Sequence, residues 1–361
     1  MRRAPGAGRR LHAAVAIVGL GVAVTLAACG GDDGATAATA EPTDPSGSTQ
    51  MDGAFPVTVE HTYGSTTVPE EPARVVSIGF TDQDLLLALG VHPVAVREWY
   101  GEQPYATWPW AQDELGGARP QVLPSTELNF EQIAALDPDL IVGVSSGMTD
   151  TEYATLAQIA PTIAQPAGYI AFGAPWDVAL RQIGAAVGRA GTAADVEAAT
   201  RVRFEAVRAA HPEFEGKSAG VAFLFEEEPG AYASGDPRSQ FLADLGFEIP
   251  EEYDDLAGEQ FYFSLSQEEL ARLDTDVIVW LGTDQATVEA IASMPLRPNT
   301  RASSEGREVL ADALLTGAFS FSSPLSIEYA LDRLVPELAL AVDGDPDTAV
   351  PSAAALASGA T

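Results

Sequence analysis

LNFEQIAALDPDLIV, residues 128–142, recurs as LSQEELARLDTDVIV at residues 265–279. The offset is a constant 137, and about half the positions are identical. Each copy reads as a capped helix, a tight turn at Asp-Pro-Asp or Asp-Thr-Asp, and a buried strand. Asn129 with Gln132, and Ser266 with Glu269, have capping-box spacing, in which each side chain satisfies a free backbone N–H of the other. A supersecondary unit that occurs twice implies two similar lobes. A weaker echo pairs Asp82–Gly90 with Arg238–Gly246, each ending in Leu-Gly.

The surrounding pattern alternates strand and helix. Val57–His61 and Thr66–Val68 read as a hairpin around Tyr63-Gly64-Ser65. Arg74–Ile78 is a short buried strand, Asp82–Leu89 a helix stopped by Gly90, and Val94–Val96 the next strand. Short connections between them predict α/β lobes with largely parallel sheets. Thr192–Ala210 has helical spacing without Gly or Pro. At 1.5 Å per residue it spans roughly 28 Å, a strut joining two lobes. His211-Pro212 ends it, because the residue before proline is pushed out of helical geometry.

Outside the lobes, composition changes. Met1–Arg10 carries four arginines and no acid, and Leu11–Ala28 is almost wholly apolar or small. This is an export signal, and Leu26-Ala27-Ala28-Cys29 matches a lipobox. Cys29 is the only cysteine of the 361 residues. The expected plan is a lipoprotein signal peptide over 1–28, then a disordered tether over 29–55 that starts at lipidated (palmitate-bearing) Cys29. An N-terminal α/β lobe over 56–191, a bridging helix over 192–211, a C-terminal lobe over 212–342 and a disordered tail over 343–361 follow. No other run approaches the roughly 20 apolar residues of a membrane span. Acids outnumber bases 52 to 19, and removing the signal takes the charge from −33 to −33 − 4 = −37. Such a surface repels nucleic acid and anionic lipid.

Several motifs bear on chemistry. Gly143-Val144-Ser145-Ser146-Gly147 matches the G-x-S-x-G nucleophile elbow, which makes a secreted serine hydrolase using Ser145 one alternative. After the signal only His61, His92 and His211 remain, in three separate elements, so a protein-built transition-metal site is not expected. Glu226-Glu227-Glu228 reads as a solvated turn. Glu131 and Glu268 occupy matching first-turn positions, suited either to the helix dipole or to a two-point docking surface. WYGEQPYATWPW, residues 99–110, holds three of the five tryptophans in a stretch broken by Gly101, Pro104 and Pro109. Arg97 stands two residues before Trp99. Arg97 and Arg238 are both expected beyond carboxyl ends of strands, where open α/β sheets bind ligands.

The lipobox, Arg74-Val75-Val76-Ser77-Ile78, Leu87-Ala88-Leu89-Gly90, Trp108-Pro109-Trp110, Asn129–Ile141 and Pro324-Leu325-Ser326 together resemble the iron-siderophore substrate-binding lipoproteins of ABC importers. The resemblance runs from about Pro56 to Val342. It implies two Rossmann-like α/β lobes bridged by a single long α-helix, with the ligand in the cleft between them. It implies a monomer held on the extracellular face of a Gram-positive-type cell membrane by lipid alone. Such a protein captures ferric siderophore, delivers it to a permease dimer and has no enzymatic activity. The family's docking glutamates match Glu131 and Glu268. Iron arrives already coordinated, so no cofactor and no metal-ligating cluster are required. Expected ligand contacts are Arg97, Trp99, Tyr100, Trp108, Trp110 and Trp176 from the first lobe, and Tyr232, Arg238 and Phe321 from the second. With so few cations, the cleft is expected to favour hydroxamate or mixed-ligand complexes over triscatecholates. A corrinoid or haem carrier of the same fold is the other alternative.

Overall fold

The computed structural model describes residues 52–357; the signal, Cys29 and most of the expected tether lie outside them. An antiparallel hairpin, β1 (Val57–His61) and β2 (Gly64–Val68), opens the folded part. The first lobe is built on β3 (Val75–Ser77), β4 (Ala95–Arg97), β5 (Gln121–Leu123), β6 (Leu140–Gly143) and β7 (Thr162–Ala164). All five are parallel, in the order β5-β4-β3-β6-β7. The second lobe contains β8 (Ala219–Phe225), β9 (Glu228–Tyr232), β10 (Tyr262–Ser264), β11 (Val277–Leu281) and β12 (Glu308–Ala311), in the order β10-β9-β8-β11-β12. Here β8, β11 and β12 are parallel, while β9 and β10 add an antiparallel edge.

The two sequence copies occupy matching places. Each runs through a short helix into a wholly buried strand, β6 or β11. Both strands are covered on two faces, which is why they read as unbroken apolar runs. Their helices differ. In Phe130–Ala135, the Asn129 side chain accepts from Gln132 N–H at 2.9 Å. The second copy, Gln267–Leu273, is a 3₁₀ helix, and Ser266 makes no side-chain cap. Its hydroxyl donates instead to the Glu269 carboxylate (3.0 Å), and Glu269 N–H closes on the Ser266 carbonyl. The expected capped α-helix is thereby replaced by the tighter i→i+3 turn.

The strut is the helix Ala190–Ala210, which begins two residues before Thr192. Its first turn is capped by Asp52, whose carboxylate accepts from Gly191 N–H (2.7 Å) and the Thr192 hydroxyl (2.8 Å). Residues 52–55 are therefore part of the fold and not of a disordered tether. The tail also departs from expectation. Ala354–Ala357 is a short helix with Leu356 fully buried, and the Leu356 carbonyl accepts from Arg297 at 3.1 Å. Arg297 is itself buried against Glu308.

Of four apolar clusters among the described residues, the largest runs through both lobes. It holds Val75 and Leu140 from the first sheet and Val221, Val277 and Val309 from the second. Phe204 of the strut meets Phe241 edge-on at 5.4 Å, and Phe241 meets Phe319 at 5.0 Å. Among the described residues no helix is long and apolar enough to cross a membrane.

Candidate functional site

The loops that leave the carboxyl ends of the parallel strands converge on a cavity of about 280 Å³ between the lobes. Its aromatic walls are Phe80, Trp99, Phe172 and Trp176 from the first lobe, with Phe261 and Phe321 from the second. Trp99 stands between Phe80 (5.8 Å between ring centres) and Phe321 (5.6 Å), and so closes the gap between lobes. Phe172 bridges Phe80 (6.1 Å) and Phe261 (6.0 Å). Polar groups are few: Thr81, Ser145, Ser320 and Ser322, plus one ion pair.

That pair is Arg238 with Asp236, at the start of the helix Pro237–Asp244. The guanidinium grips both carboxylate oxygens, Nε and Nη2 each at 2.7 Å, and lies over the Tyr232 ring at 3.6 Å. Asp236 also caps the helix by accepting from Arg238 N–H. Burial is the largest single effect and disfavours the charged guanidinium; the Asp236 charge, the Tyr232 phenol and the Asp236 hydrogen bonds together outweigh it and raise its pKa overall. The cavity thus contains a cation that is already matched by an anion.

Four of the nine expected ligand residues line this cavity: Trp99, Trp176, Arg238 and Phe321. The other five do not. Arg97 turns away, donating to the carbonyls of Ser125 and Thr126 while its guanidinium backs the Phe80 ring at 4.3 Å. Tyr100 lies behind Trp99, in edge contact at 4.8 Å, and burial pushes its phenol up to about 12. Tyr232 lies under Arg238 and faces a neighbouring groove. Trp108 and Trp110 stack on each other at 5.1 Å and pin the lobes together. Trp108 is 4% exposed and presses on Gly317 so closely that a Cβ there would stand 2.7 Å from the indole. Trp110 packs on Tyr329 and donates its Nε1–H to Asp84 at 2.7 Å. Asp84 also accepts from the Ser323 hydroxyl of the second lobe (2.9 Å). The aromatic stretch is divided in use: Trp99 faces the cavity, and the two later tryptophans build the joint.

Sequence reasoning missed Phe80, Phe172, Phe261 and Asp236. Phe80 follows β3 by three residues and satisfies the same carboxyl-end rule that nominated the arginines. Phe172 has positive φ (64°) in an irregular loop, a placement no periodicity announces. Two buried carboxylates were also missed. Asp82 accepts from Val144 N–H (2.7 Å) and Ser145 N–H (3.0 Å), holding the loop after β6. Burial pushes Asp82 and Asp84 each up to about 6, against the hydrogen bonds they accept.

Ser145 is a wall residue whose partners are structural. His61 bonds Thr66 within the hairpin, His92 lies near the Glu114 carbonyl, and His211 pairs with Glu213 at the end of the strut. Glu131 and Glu268 are both exposed, and among the described residues neither makes an ion pair. Glu226 and Glu227 form the tight turn between β8 and β9, both at positive φ.

Residues 75–313 match the family model of the periplasmic binding proteins. The chain belongs to that family. The probable siderophore-binding lipoprotein YfiY of Bacillus subtilis (strain 168) is 31% identical over 229 residues, 62% of this chain and 68% of the relative. A periplasmic solute binding protein from Mycobacterium smegmatis str. MC2 155 is 37% identical, with a TM-score of 0.71 over 79% of this chain and 98% of that one. PiaA of Streptococcus pneumoniae TIGR4, solved in complex with ferrichrome, is 26% identical, with a TM-score of 0.69 over 80% of this chain and 99% of that one. The family consists of substrate-binding proteins. It is also a two-lobed fold, and the cavity is walled from both lobes.

Proposed function

We propose that this protein captures a ferric siderophore in the interlobe cavity and delivers it to an ABC permease for iron uptake. The observation that carries the reading is the cavity: six aromatic rings from two lobes around one guanidinium already paired with a carboxylate. A metal chelate is bulky, rigid and apolar on its outer faces. Flat rings supply contact area to it at low entropic cost, and a few polar groups orient it. The name of the B. subtilis relative and the ferrichrome bound to PiaA support the same ligand class.

Charge favours a hydroxamate or mixed-ligand complex. A triscatecholate ferric complex carries about three negative charges, and burying it requires several unmatched cations. With Arg97 turned away and Arg238 held by Asp236, the walls offer none. Neutral hydroxamate oxygens need only hydrogen-bond donors. Glu131 and Glu268, exposed at matching positions of the two copies, are the handles for the permease, and Cys29 is the lipid anchor; YfiY is likewise named a lipoprotein.

Equilibrium quenching of tryptophan fluorescence tests the reading with a ferric trishydroxamate, a ferric triscatecholate, haem and cobalamin. The expected order puts the hydroxamate tightest. Tighter binding of the catecholate overturns the charge argument, and preferential binding of haem or cobalamin overturns the ligand class.

A further inference from the structure

Phe261 lines two spaces at once. Beyond the cavity it borders an open groove of about 810 Å³ on the second lobe, past the carboxyl ends of β8 and β11. The cavity is about 280 Å³, at the lower limit of roughly 300–1,000 Å³ usual for small-molecule sites, so a bulky chelate overfills it. What protrudes past Phe261 enters the groove.

The groove has its own chemistry. Its walls are an aromatic chain: Phe261 meets Tyr262 at 5.0 Å, Tyr262 meets Phe223 at 5.8 Å, and Phe223 meets Tyr232 at 5.1 Å. Phe225 is 66% exposed beside them on the hairpin, and Tyr262 is 41% exposed, so the apolar surface lies open. The rim is acidic. Glu226 and Glu228 line the groove, and no lysine or arginine does. Where Arg238 approaches from the cavity side, behind Tyr232, its charge is matched by Asp236. Aromatic faces together with carboxylates and without competing cations attract an alkyl ammonium: the rings take the chain and hold the cation by its attraction to the π-face, and the acids complete the charge.

We propose that this groove is a second subsite, which receives a flexible arm of the siderophore ending in a protonated amine while the iron-bearing core sits in the cavity. The proposal rests on the ferric-siderophore reading above and narrows it to complexes with a pendant cation. It gives the three successive glutamates a use: their mutual repulsion at the hairpin tip is relieved when the arm is bound.

The test compares two ferric complexes of one linear trishydroxamate, identical at iron, one with a free terminal amine and one with that amine acetylated. Quenching titrations at low and at physiological salt are run on the wild type and on the double variant Glu226→Gln, Glu228→Gln. Both substitutions fall at exposed positions of the hairpin. In the wild type the free amine binds about tenfold tighter at low salt, and salt narrows the gap. In the double variant the gap closes because the amine complex weakens, while affinity for the acetylated complex stays unchanged. Equal affinity of the two complexes for the wild type overturns the subsite, as does an equal loss for both in the variant. If neither complex binds the wild type, the ferric-siderophore reading itself fails and the subsite falls with it.

Discussion

Asp84 ties the lobes together, and its ionisation gives that joint a pH dependence that can be calculated. Its carboxylate accepts from Trp110 of the aromatic stretch and from Ser323 at the start of the helix Pro324–Ala341, while Oδ1 is buried without a partner. Burial is the larger effect and pushes the group from 3.8 up to about 6. The folded protein therefore prefers the protonated acid. That stabilisation is fully present below the unfolded value of 3.8 and is lost as pH rises through 6. A shift of about two units at about 1.4 kcal/mol per unit amounts to ~3 kcal/mol over the whole range. Between pH 7 and pH 5 alone, the same two pKa values give a gain of about 1 kcal/mol on acidification.

Asp84→Asn keeps an acceptor for Trp110 and removes the titration. Urea unfolding at pH 5 and pH 7, at fixed ionic strength, measures the difference. The wild type should gain about 1 kcal/mol more than the variant on going from pH 7 to pH 5. Asp82, with the same upward shift, titrates in both proteins and drops out of the comparison. Parallel pH profiles for the two proteins would refute the assignment of a buried, proton-accepting Asp84.

Other outcomes follow from the same geometry. Trp108→Ala should cost roughly 3–5 kcal/mol of stability by urea unfolding, with a smaller effect on ligand affinity. Trp99→Ala should do the reverse, losing at least about tenfold in affinity by titration with little change in stability; loss of binding from Trp108→Ala without destabilisation would contradict the division between them. Reversing both proposed docking residues, Glu131→Arg with Glu268→Arg, should leave ligand affinity unchanged and abolish uptake of radiolabelled iron in cells, whereas normal uptake leaves these residues only a helix-dipole role. Cys29→Ala expressed in a Gram-positive host should move the protein from the membrane to the soluble fraction, and a membrane-retained variant removes the lipid anchor.

The fold was legible because its signals are local and repeated. Leu128–Val142 and Leu265–Val279 state the helix–turn–strand unit twice, and the absence of Gly and Pro over Thr192–Ala210 marks the strut. The ends were misjudged because a polar, small-residue segment can still cap or pack. Asp52 is held by the first turn of a helix 140 residues away, and Leu356 by a hole beside Arg297. The site was legible only in part. Position after a strand nominates both Arg97 and Arg238, but it cannot say which way a side chain turns, and only Arg238 turns inward. A cluster of tryptophans likewise shows that large rings are needed without saying what they pack on. Trp108 found a partner in Gly317, more than 200 residues distant, and no spacing rule connects the two.

The aromatic stretch bears on how cargo is held. A two-lobed binder whose lobes shared only a strut would be free to open widely. Here the core is continuous from Val75 to Val309, Phe204 links the strut to Phe241 and Phe319, and Trp108 is locked onto Gly317. The Asp84 node adds two hydrogen bonds in a dry place, where leaving a buried donor unpaired costs about 1–3 kcal/mol. A wide hinge opening breaks all of these together, so the joint resists it more than any single contact does. Cargo is then expected to enter and leave past Phe172 and Phe261 rather than through separation of the lobes. The rings that touch there belong to loops and not to the core, which makes them the part of the wall that moves at lowest cost. Small-angle scattering with and without ligand decides the point: a nearly unchanged radius of gyration fits entry past the Phe172–Phe261 mouth, and a large contraction on binding contradicts it.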